Sequence, residues 1–334
     1  MQPRFLFSTV LFLFVVHPVF AQAIRFEHVK THVFDNKAIN LLYGNAAFGG
    51  ISAIEFFDSK SLSSVCNDCI ATAEPSFLLF SDKRFENRHN IFQMSHRQSE
   101  ITTATSLYNM ADVESVRYNA HTGLMCYSYE GDTSTGVFMI DAKTNKKKMI
   151  LHMPNPTNNR GIEGLAFASD NSLWIALETG KSDCAKKTVD FYRIEYDVAH
   201  KTYNGRDTIA YQYPLDKCAC LNVDAQNIDG TDGNGVTEIL SIKDMPGRLL
   251  VLERCFNRKT RTGSTYLYLA TINKHKRLVT KDKMLFDFTA NDFPNAGRNI
   301  EGMCWAGDDT LLLVADDNFS ERQVGLVVEL KLVR

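Results

Sequence analysis

The sequence predicts an all-β fold, specifically a β-propeller, and three observations support this. Five similar apolar segments recur along the chain, and each is followed by a polar turn and a second apolar run. Apolar and polar residues roughly alternate within each segment, which is typical of half-buried strands. No long segment carries the 3.6-residue apolar periodicity of an amphipathic helix. A chain built from many short, repeated hairpins is typical of a propeller.

The repeats are defined by the starts of their two runs. The first runs begin at Gly50, Val113, Gly161, Val236 and Asn299. The second runs begin at Phe77, Gly123, Leu173, Leu249 and Leu311. Turn-forming residues such as Asp and Asn lie between the two runs of a repeat, so each pair predicts an antiparallel hairpin.

The spacing of the repeats bears on the number of blades. The anchor positions Ser52, Glu114, Glu163, Glu238 and Glu301 are separated by 62, 49, 75 and 63 residues. A four-stranded blade takes about 40–50 residues. The length therefore favours six blades, with one repeat hidden in the longest gap, and five blades with long loops is the alternative. The first run, at residues 24–34, and the last, which begins at Gly325, lack partners in their own repeats. Pairing these two runs would close the ring.

The first 21 residues predict a secretory signal peptide. Arg4 provides a positive start, residues 5–16 are apolar apart from a Ser-Thr pair, and Val19-Phe20-Ala21 resembles a cleavage site. The apolar run is short for a membrane anchor and is followed by His17-Pro18. We therefore expect residues 22–334 to form one propeller domain, secreted or periplasmic, without membrane insertion after cleavage.

Charge and cysteine content narrow the function further. With 37 basic and 39 acidic residues, the chain does not have the charge of a general nucleic-acid or membrane-surface binder. The eight cysteines of an exported chain favour disulfides that staple loops. Cys126 and Cys304 lie in apolar runs and are predicted to be buried thiols. The Cys66-x-x-Cys69 pair has no second such pair to complete a zinc site. We expect a monomer.

Paired carboxylates mark the ends of the predicted hairpins. Each first run carries a glutamate near its start, and an acidic residue lies 15 or 16 positions later: Glu114 and Glu130, Glu163 and Glu178, Glu238 and Glu253, Glu301 and Asp316. The start of one strand lies beside the end of its antiparallel partner, so each pair falls at the same end of its blade. The pairs are thus predicted to ring one mouth of the central channel, and Asp82 is predicted to join them opposite Ser52.

Such a ring needs positive charge. Two carboxylates about 4 Å apart repel by roughly 1 kcal/mol in water and about 4 kcal/mol near a protein surface. Oxygen-rich sites suit Ca²⁺, and the predicted metal ligands are Glu114, Glu178, Glu238, Glu253, Asp316 and Asp82. Four arginines beside the same motifs are predicted to bind substrate: Arg84, Arg160, Arg254 and Arg298. Glu163 and Glu301 are the predicted catalytic residues, because Arg160 and Arg298 precede them by three positions.

At these same residues the chain resembles the phytase-like domain family, which is described as having esterase-like activity of phytase. The matching pieces include Gly161-Ile-Glu-Gly-Leu-Ala-Phe, Asn299-Ile-Glu-Gly-Met and Leu311-Leu-Leu-Val-Ala-Asp-Asp-Asn-Phe, and with the weaker pieces they span residues 49–319. The resemblance implies an exported propeller that hydrolyses phosphate or other esters. The second and fourth repeats depart from the pattern, with Ser115 and Ile239 where glycine follows glutamate elsewhere.

Three hypotheses follow. The leading one is a Ca²⁺-dependent ester hydrolase whose substrate is a small-molecule ester or phosphate. The second is a calcium-dependent lactonase. The third is a non-catalytic propeller that binds a glycan, a protein or an envelope component.

Overall fold

The computed structural model describes residues 24–44, 47–57, 76–82, 91–97, 99–105, 112–154, 161–178, 188–215, 233–257, 262–290 and 299–334. The predicted signal peptide, Arg84, Arg160 and Arg298 lie outside these ranges, as do five of the eight cysteines. Cys126 and Cys304 are buried free thiols, as the sequence indicated. The disulfides stay a prediction.

The chain folds into four-stranded antiparallel blades. Blade 1 contains β2 (Ile51–Phe57), β3 (Ser76–Ser81), β4 (Ile91–Ser95) and β5 (Ile101–Thr105). Blade 2 contains β6 (Val113–Asn119), β7 (Leu124–Glu130), β8 (Ser134–Asp141) and β9 (Lys146–Pro154). In both blades sequential strands pair with their neighbours, so the predicted hairpins are confirmed.

Blades 3 and 4 are built in the same way. Blade 3 contains β10 (Ile162–Phe167), β11 (Leu173–Leu177), β12 (Thr188–Ile194) and β15 (Ile209–Pro214). A small hairpin, β13 (Tyr196–Asp197) and β14 (Thr202–Tyr203), and a 3₁₀ turn (Gly205–Asp207) separate its last two strands. Blade 4 contains β16 (Gly233–Ser241), β17 (Arg248–Asn257), β18 (Thr262–Asn273) and β19 (Leu278–Asp287). The outer strands of these two blades touch through one parallel bridge, Gln212 with Leu278.

Blade 5 contains both ends of the described chain. It comprises β20 (Ile300–Trp305), β21 (Thr310–Ala315), β22 (Leu326–Val333) and β1 (Arg25–Val33). β1 pairs antiparallel with β22, with Arg25 opposite Val333 and Val33 opposite Leu326. The predicted pairing of the first and last runs is therefore confirmed. A short helix, α1 (Asn36–Leu42), follows β1 and is capped by the Asp35 side chain, which accepts a hydrogen bond from the Ala38 amide at 3.0 Å.

The ring contains five blades among the described residues. The innermost strands β2, β6, β10, β16 and β20 each contact the next, and β20 contacts β2, which closes the circle. Six was therefore the wrong choice of blade number, and the alternative of five is correct. The long interval before Glu238 contains blade 3 with its inserted hairpin. It also contains residues 216–232, which lie outside the described ranges.

The hydrophobic core lies between neighbouring blades. Phe80 of blade 1 and Tyr127 of blade 2 belong to one buried cluster, whereas Leu250 of blade 4 and Leu311 of blade 5 belong to another. Each blade is therefore held by apolar packing on both faces, which leaves the channel lining free to carry polar groups. No helix in the described part of the chain is both long and apolar enough to cross a membrane.

Candidate functional site at one mouth of the channel

Every innermost strand has an irregularity at the same place. The pairing with the second strand of the blade shifts by one residue near the start of β2, β6, β10, β16 and β20. The extra residues at these β-bulges are Ser52, Glu114, Glu163, Thr237 and Glu301. A bulge turns a side chain away from the regular alternation of the strand. The sequence therefore places one polar residue from every blade at the same level of the channel.

A second set of polar residues faces these bulges. Each follows the second strand of its blade or lies near its end, beside the residue two positions before the bulge: Asp82, Glu130, Glu178, Arg254 and Asp316. The two sets together contain seven carboxylates and one guanidinium, and we call them the mouth cluster. Of the residues predicted to form the site, the structure places Glu114, Glu163, Glu178, Glu301, Asp82 and Asp316 in this cluster.

Glu238 and Glu253 require a correction, because they lie outside the mouth cluster. In blade 4 the bulge falls between Val236 and Glu238, so Thr237 takes the position that glutamate has in blades 2, 3 and 5. The equivalent of Asp316 in this blade is Arg254. The predicted pair was one residue out of register on each strand, and a slip of one residue sends a side chain to the other face.

Glu253 is fully buried away from the mouth. Its carboxylate accepts hydrogen bonds from the Tyr213 hydroxyl at 2.6 Å and from the Asn234 amide at 2.8 Å, and it lies 2.5 Å from the Lys281 ammonium. Burial raises the pKa of Glu253, although Lys281 opposes this. These three partners are those of a structural carboxylate.

Glu238 lies deeper in the channel and joins three blades. Its carboxylate is 2.6 Å from the Arg117 guanidinium of β6 and accepts a hydrogen bond from the Ser115 hydroxyl at 3.0 Å. The Leu165 amide of β10 also donates to it, at 3.1 Å. Burial raises the pKa of Glu238 to about 7, against the opposing effect of Arg117. Arg117 and Ser115 were missed by the sequence-based prediction.

Burial and mutual repulsion both act on the carboxylates of the mouth cluster. Burial raises the pKa of Glu163 well above its ordinary value, and the charges of Glu114, Glu178, Glu130 and Glu301 raise it further. The pKa of Glu114 is raised in the same way, by burial and then by Asp82, Glu301, Glu130 and Asp316. Within the described ranges neither the Glu114 nor the Glu163 carboxylate forms a hydrogen bond or an ion pair. Both are therefore available to an external partner.

Arg254 supplies positive charge to the mouth cluster from blade 4. Its guanidinium forms an ion pair with Glu301 of blade 5, donates to Asn299, and lies 3.6 Å from the Glu178 carboxylate of blade 3. Burial works against the charge on Arg254, but Glu301, Glu178 and Glu163 outweigh this and raise its pKa. Of the four arginines predicted to bind substrate, Arg254 is the one inside the described ranges.

Glycines make room for two of the carboxylates. A Cβ on Gly161 would lie 2.9 Å from the Glu130 carboxylate, whose oxygen accepts a hydrogen bond from the Gly161 amide. A Cβ on Gly235 would lie 2.8 Å from the Glu178 side chain. In each case the glycine of one blade lets the carboxylate of the preceding blade approach its backbone closely.

The Asp316-Asp317-Asn318-Phe319 segment supports the cluster from blade 5. The Asn318 amide donates to the Asp316 carboxylate at 2.6 Å, while Asp317 accepts from the Gly50 amide at 2.8 Å and the Phe319 amide at 2.9 Å. Asn318 and Phe319 both have positive φ, at 51° and 50°. A positive φ is costly for a bulky residue such as Phe, and strain of this kind concentrates at functional sites.

The arrangement has the donors for a hard cation but not a finished coordination sphere. Among the described residues, no three His, Cys, Asp or Glu side chains are arranged to hold a metal ion. Burial and then Glu301 and Asp82 raise the pKa of Asp316, as for Glu114 and Glu163. These carboxylates would be relieved either by protons or by a cation.

Comparison with known proteins places the chain in a family and finds solved structures with low sequence identity to it. No curated protein matches it. A Thermus thermophilus protein described as an oxidoreductase (glucose dehydrogenase) has a similar structure, with 11% identity and a TM-score of 0.43 over 93% of this chain and 100% of that one. The NanB sialidase of Streptococcus pneumoniae has 12% identity and a TM-score of 0.40 over 78% of this chain. This similarity spans about a third of the sialidase, 35% of its length.

The family itself is defined by a match over most of the sequence. Residues 46–319 match the phytase-like family, whose description is esterase-like activity of phytase. The matched region contains all eight charged members of the mouth cluster and the glycines beside them. The chain therefore belongs to the phytase-like family.

Proposed function

We propose that the chain is an exported, metal-dependent hydrolase that acts on phosphate esters at the mouth cluster. The observation that carries the proposal is the convergence of seven carboxylates with Arg254, where Glu114 and Glu163 form no hydrogen bond or ion pair within the described ranges. The guanidinium can bind the phosphate group of an ester. A metal cation that binds together with the phosphate would offset the excess negative charge of the carboxylates.

Ca²⁺ is the proposed metal, and its ligands would come from Glu114, Asp82 and Asp316. These are hard oxygen donors. Burial raises the pKa values of Glu114 and Asp316, and the neighbouring carboxylates raise them further; a divalent cation would relieve this repulsion. When bound, Ca²⁺ supplies positive charge that polarises the phosphoryl group. Side-chain rotation would be needed to bring three carboxylates together, since no such group is already formed in the described ranges.

The residues of the chain supply orientation and proton transfer. Arg254, fixed from both sides by Glu178 and Glu301, would orient a phosphate oxygen at the cluster. Burial and the neighbouring carboxylates raise the pKa of Glu163, which favours its protonated form, so Glu163 would donate a proton to the leaving oxygen. Glu301 would accept a proton from the attacking water, in its position beside Arg254.

The test is a substrate panel measured with Ca²⁺ and with a chelator. We expect the purified chain to release phosphate from p-nitrophenyl phosphate with Ca²⁺, and to lose this activity when the chelator is added. Hydrolysis of a δ-lactone without phosphate release would favour the lactonase hypothesis instead. No hydrolysis of either, with an unchanged melting temperature on adding Ca²⁺, would favour a non-catalytic binding propeller.

Export is part of the proposal and has its own test. The residues that carry it, 1–21, lie outside the described ranges. Expression in a secreting host followed by N-terminal sequencing should give a mature chain that begins at Gln22. Retention of the first 21 residues on the purified protein would contradict export with cleavage.

A further inference from the structure

A separate cavity lies at the other end of the channel. The innermost strands start at the mouth cluster and finish at this cavity, which has a volume of about 250 Å³. Its lining includes Glu55, Phe56, Arg117, Tyr118, Phe167 and Trp305. From the bulges to this level is four residues, or about 13 Å at the usual rise of a strand. The cavity is therefore distinct from the mouth cluster.

The walls of the cavity are aromatic because of the repeat. Phe56, Tyr118, Phe167 and Trp305 each lie four residues after the bulged residue of their strand, in blades 1, 2, 3 and 5, and each is partly exposed. Blade 4 has Ser241 at this position, and the Ser241 carbonyl accepts a hydrogen bond from the Trp305 indole at 2.8 Å. Four blades thus present a ring face or edge to one small space.

The aromatic walls are held in place from behind. Tyr118 packs on Phe57 with ring centroids 5.1 Å apart, and Phe56 packs on Phe77 at 5.6 Å. Phe167 stacks on Tyr203 at 5.9 Å, with the two ring planes at 27°. Rings braced in this way lose little freedom when a ligand binds, so the cavity is preorganised.

The floor of the cavity has more acidic than basic side chains. Two carboxylates, Glu55 and Glu238, share one guanidinium, that of Arg117. The Arg117 guanidinium pairs mainly with the Glu238 carboxylate, at 2.6 Å. It also donates hydrogen bonds to the carbonyls of Val116 and Ile239. Its distance to the Glu55 carboxylate is 3.6 Å.

Glu55 is the carboxylate that faces the open space. Its side chain keeps 12% of its exposure, whereas that of Glu238 is fully buried. One Glu55 oxygen accepts a hydrogen bond from the Phe56 amide at 2.9 Å, and the other lies on the side of Arg117. A second positive partner would therefore complete the charge balance of the floor.

We propose that this cavity binds a small organic cation, an amine or a quaternary ammonium ion. The aromatic walls would attract its charge through their π faces, and Glu55 would neutralise it from the floor. An inorganic cation would make little use of four aromatic walls, and an anion would lie against the unbalanced carboxylate. No covalent step is involved, and the site is independent of chemistry at the mouth cluster.

The test uses choline and its neutral isostere 3,3-dimethyl-1-butanol as probes for the full mature chain. Calorimetric titration should give saturable choline binding that is at least about tenfold tighter than that of the isostere, as expected for about 1.4 kcal/mol from cation–π and ionic contacts. Trp305 emission should change as choline saturates, because the other tryptophan, Trp174, is buried with 1% exposure.

Two matched variants separate the cavity from general electrostatics. Glu55→Gln should abolish the preference for choline over the isostere. Asp308→Asn removes one carboxylate at the same end of the propeller, where Asp308 is 74% exposed and pairs with Lys243, and it should leave the preference unchanged. Circular dichroism checks that both variants are folded.

The proposal is overturned by any of three results. These are equal affinities of the wild-type chain for choline and the isostere, no choline binding at all, or tighter binding of acetate than of choline. All three are measured on the wild-type chain, so the proposal stays falsifiable even if Glu55→Gln does not fold.

Discussion

The Arg117 guanidinium lies 2.6 Å from the Glu238 carboxylate and so joins the innermost strands of blades 2 and 4 across the channel. Arg117 has 3% and Glu238 0% side-chain exposure, so the pair is shielded from water. Removing one partner of a buried pair leaves the other charge without compensation. The fold therefore depends on this pair more than on its exposed ion pairs.

The first prediction concerns this pair. Arg117→Met should lower the free energy of unfolding by about 3–5 kcal/mol, since Glu238 would be left buried without its ion partner. Urea denaturation monitored by circular dichroism measures the change. As a control, Arg25→Met removes an exposed ion pair with Glu27 and should cost less than about 1 kcal/mol. Equal effects of the two substitutions would contradict the structural role of Arg117.

The second prediction is a pH dependence of stability. Burial raises the pKa values of Glu55 and Glu238 from 4.5 to about 7, and those of Glu114, Glu163 and Asp316 are also raised. Above pH 4.5 and up to the raised values, the folded chain binds more protons than the unfolded chain. Its free energy of unfolding must therefore fall as pH rises through this window.

Differential scanning calorimetry in chelator tests this sign. The melting temperature should be higher at about pH 5 than at about pH 8, and added Ca²⁺ should raise it most at the higher pH, where a larger share of the mouth carboxylates is ionised. A metal-free melting temperature that rises steadily over the same interval would show that these carboxyls titrate normally.

The third prediction separates repulsion from ligand binding at the mouth. Glu163→Gln removes one member of the repelling set, so at about pH 8 the metal-free chain should become more stable, by about 1 kcal/mol for one pair at 4 Å. The same substitution should weaken Ca²⁺ binding and phosphate release. Denaturation and Ca²⁺ titration measure the two effects, and the exposed Glu321→Gln is the control. Loss of stability in Glu163→Gln would argue for a purely structural carboxylate.

The fourth prediction concerns the space that glycine leaves for a carboxylate. A Cβ at Gly161 would lie 2.5 Å from the Thr135 hydroxyl and 2.9 Å from the Glu130 carboxylate, so Gly161→Ala should destabilise the chain by about 1–3 kcal/mol. At Gly325 the nearest atom would be 3.6 Å away, so Gly325→Ala should cause no loss. Thermal denaturation compares the stabilities of the two variants. Similar losses of stability would contradict the close approach of Glu130 and Thr135 to Gly161.

Much of this architecture is visible in the sequence because the repeat is visible. Alternating apolar runs identify the hairpins, and the glutamates of blades 2, 3 and 5 mark one level of the channel. Blade 4 was placed one residue out of register because Thr237-Glu238 offers a glutamate next to the position that the fold uses. A pattern of residue types does not show where a bulge falls, since bulges depend on the pairing of two strands.

The charged residues inside the channel are less evident from the sequence. Glu55 and Arg117 each lie three residues after the bulge, where the other innermost strands have Ala166, Leu240 and Cys304. A charged residue at an otherwise apolar repeat position was a usable signal. The sequence does not identify the partner of Arg117. Arg117 and Glu238 are 121 positions apart, and only the closed ring brings them together.

The strand β1 belongs to the last blade, although it is the first strand of the described chain. A nascent polypeptide can build the hairpins of blades 1 to 4 in order, but β1 must wait until β22 has been synthesised. Until then two sheet edges stay open to pairing with other molecules. Because the ring closes late, a prematurely terminated chain would be especially prone to aggregation.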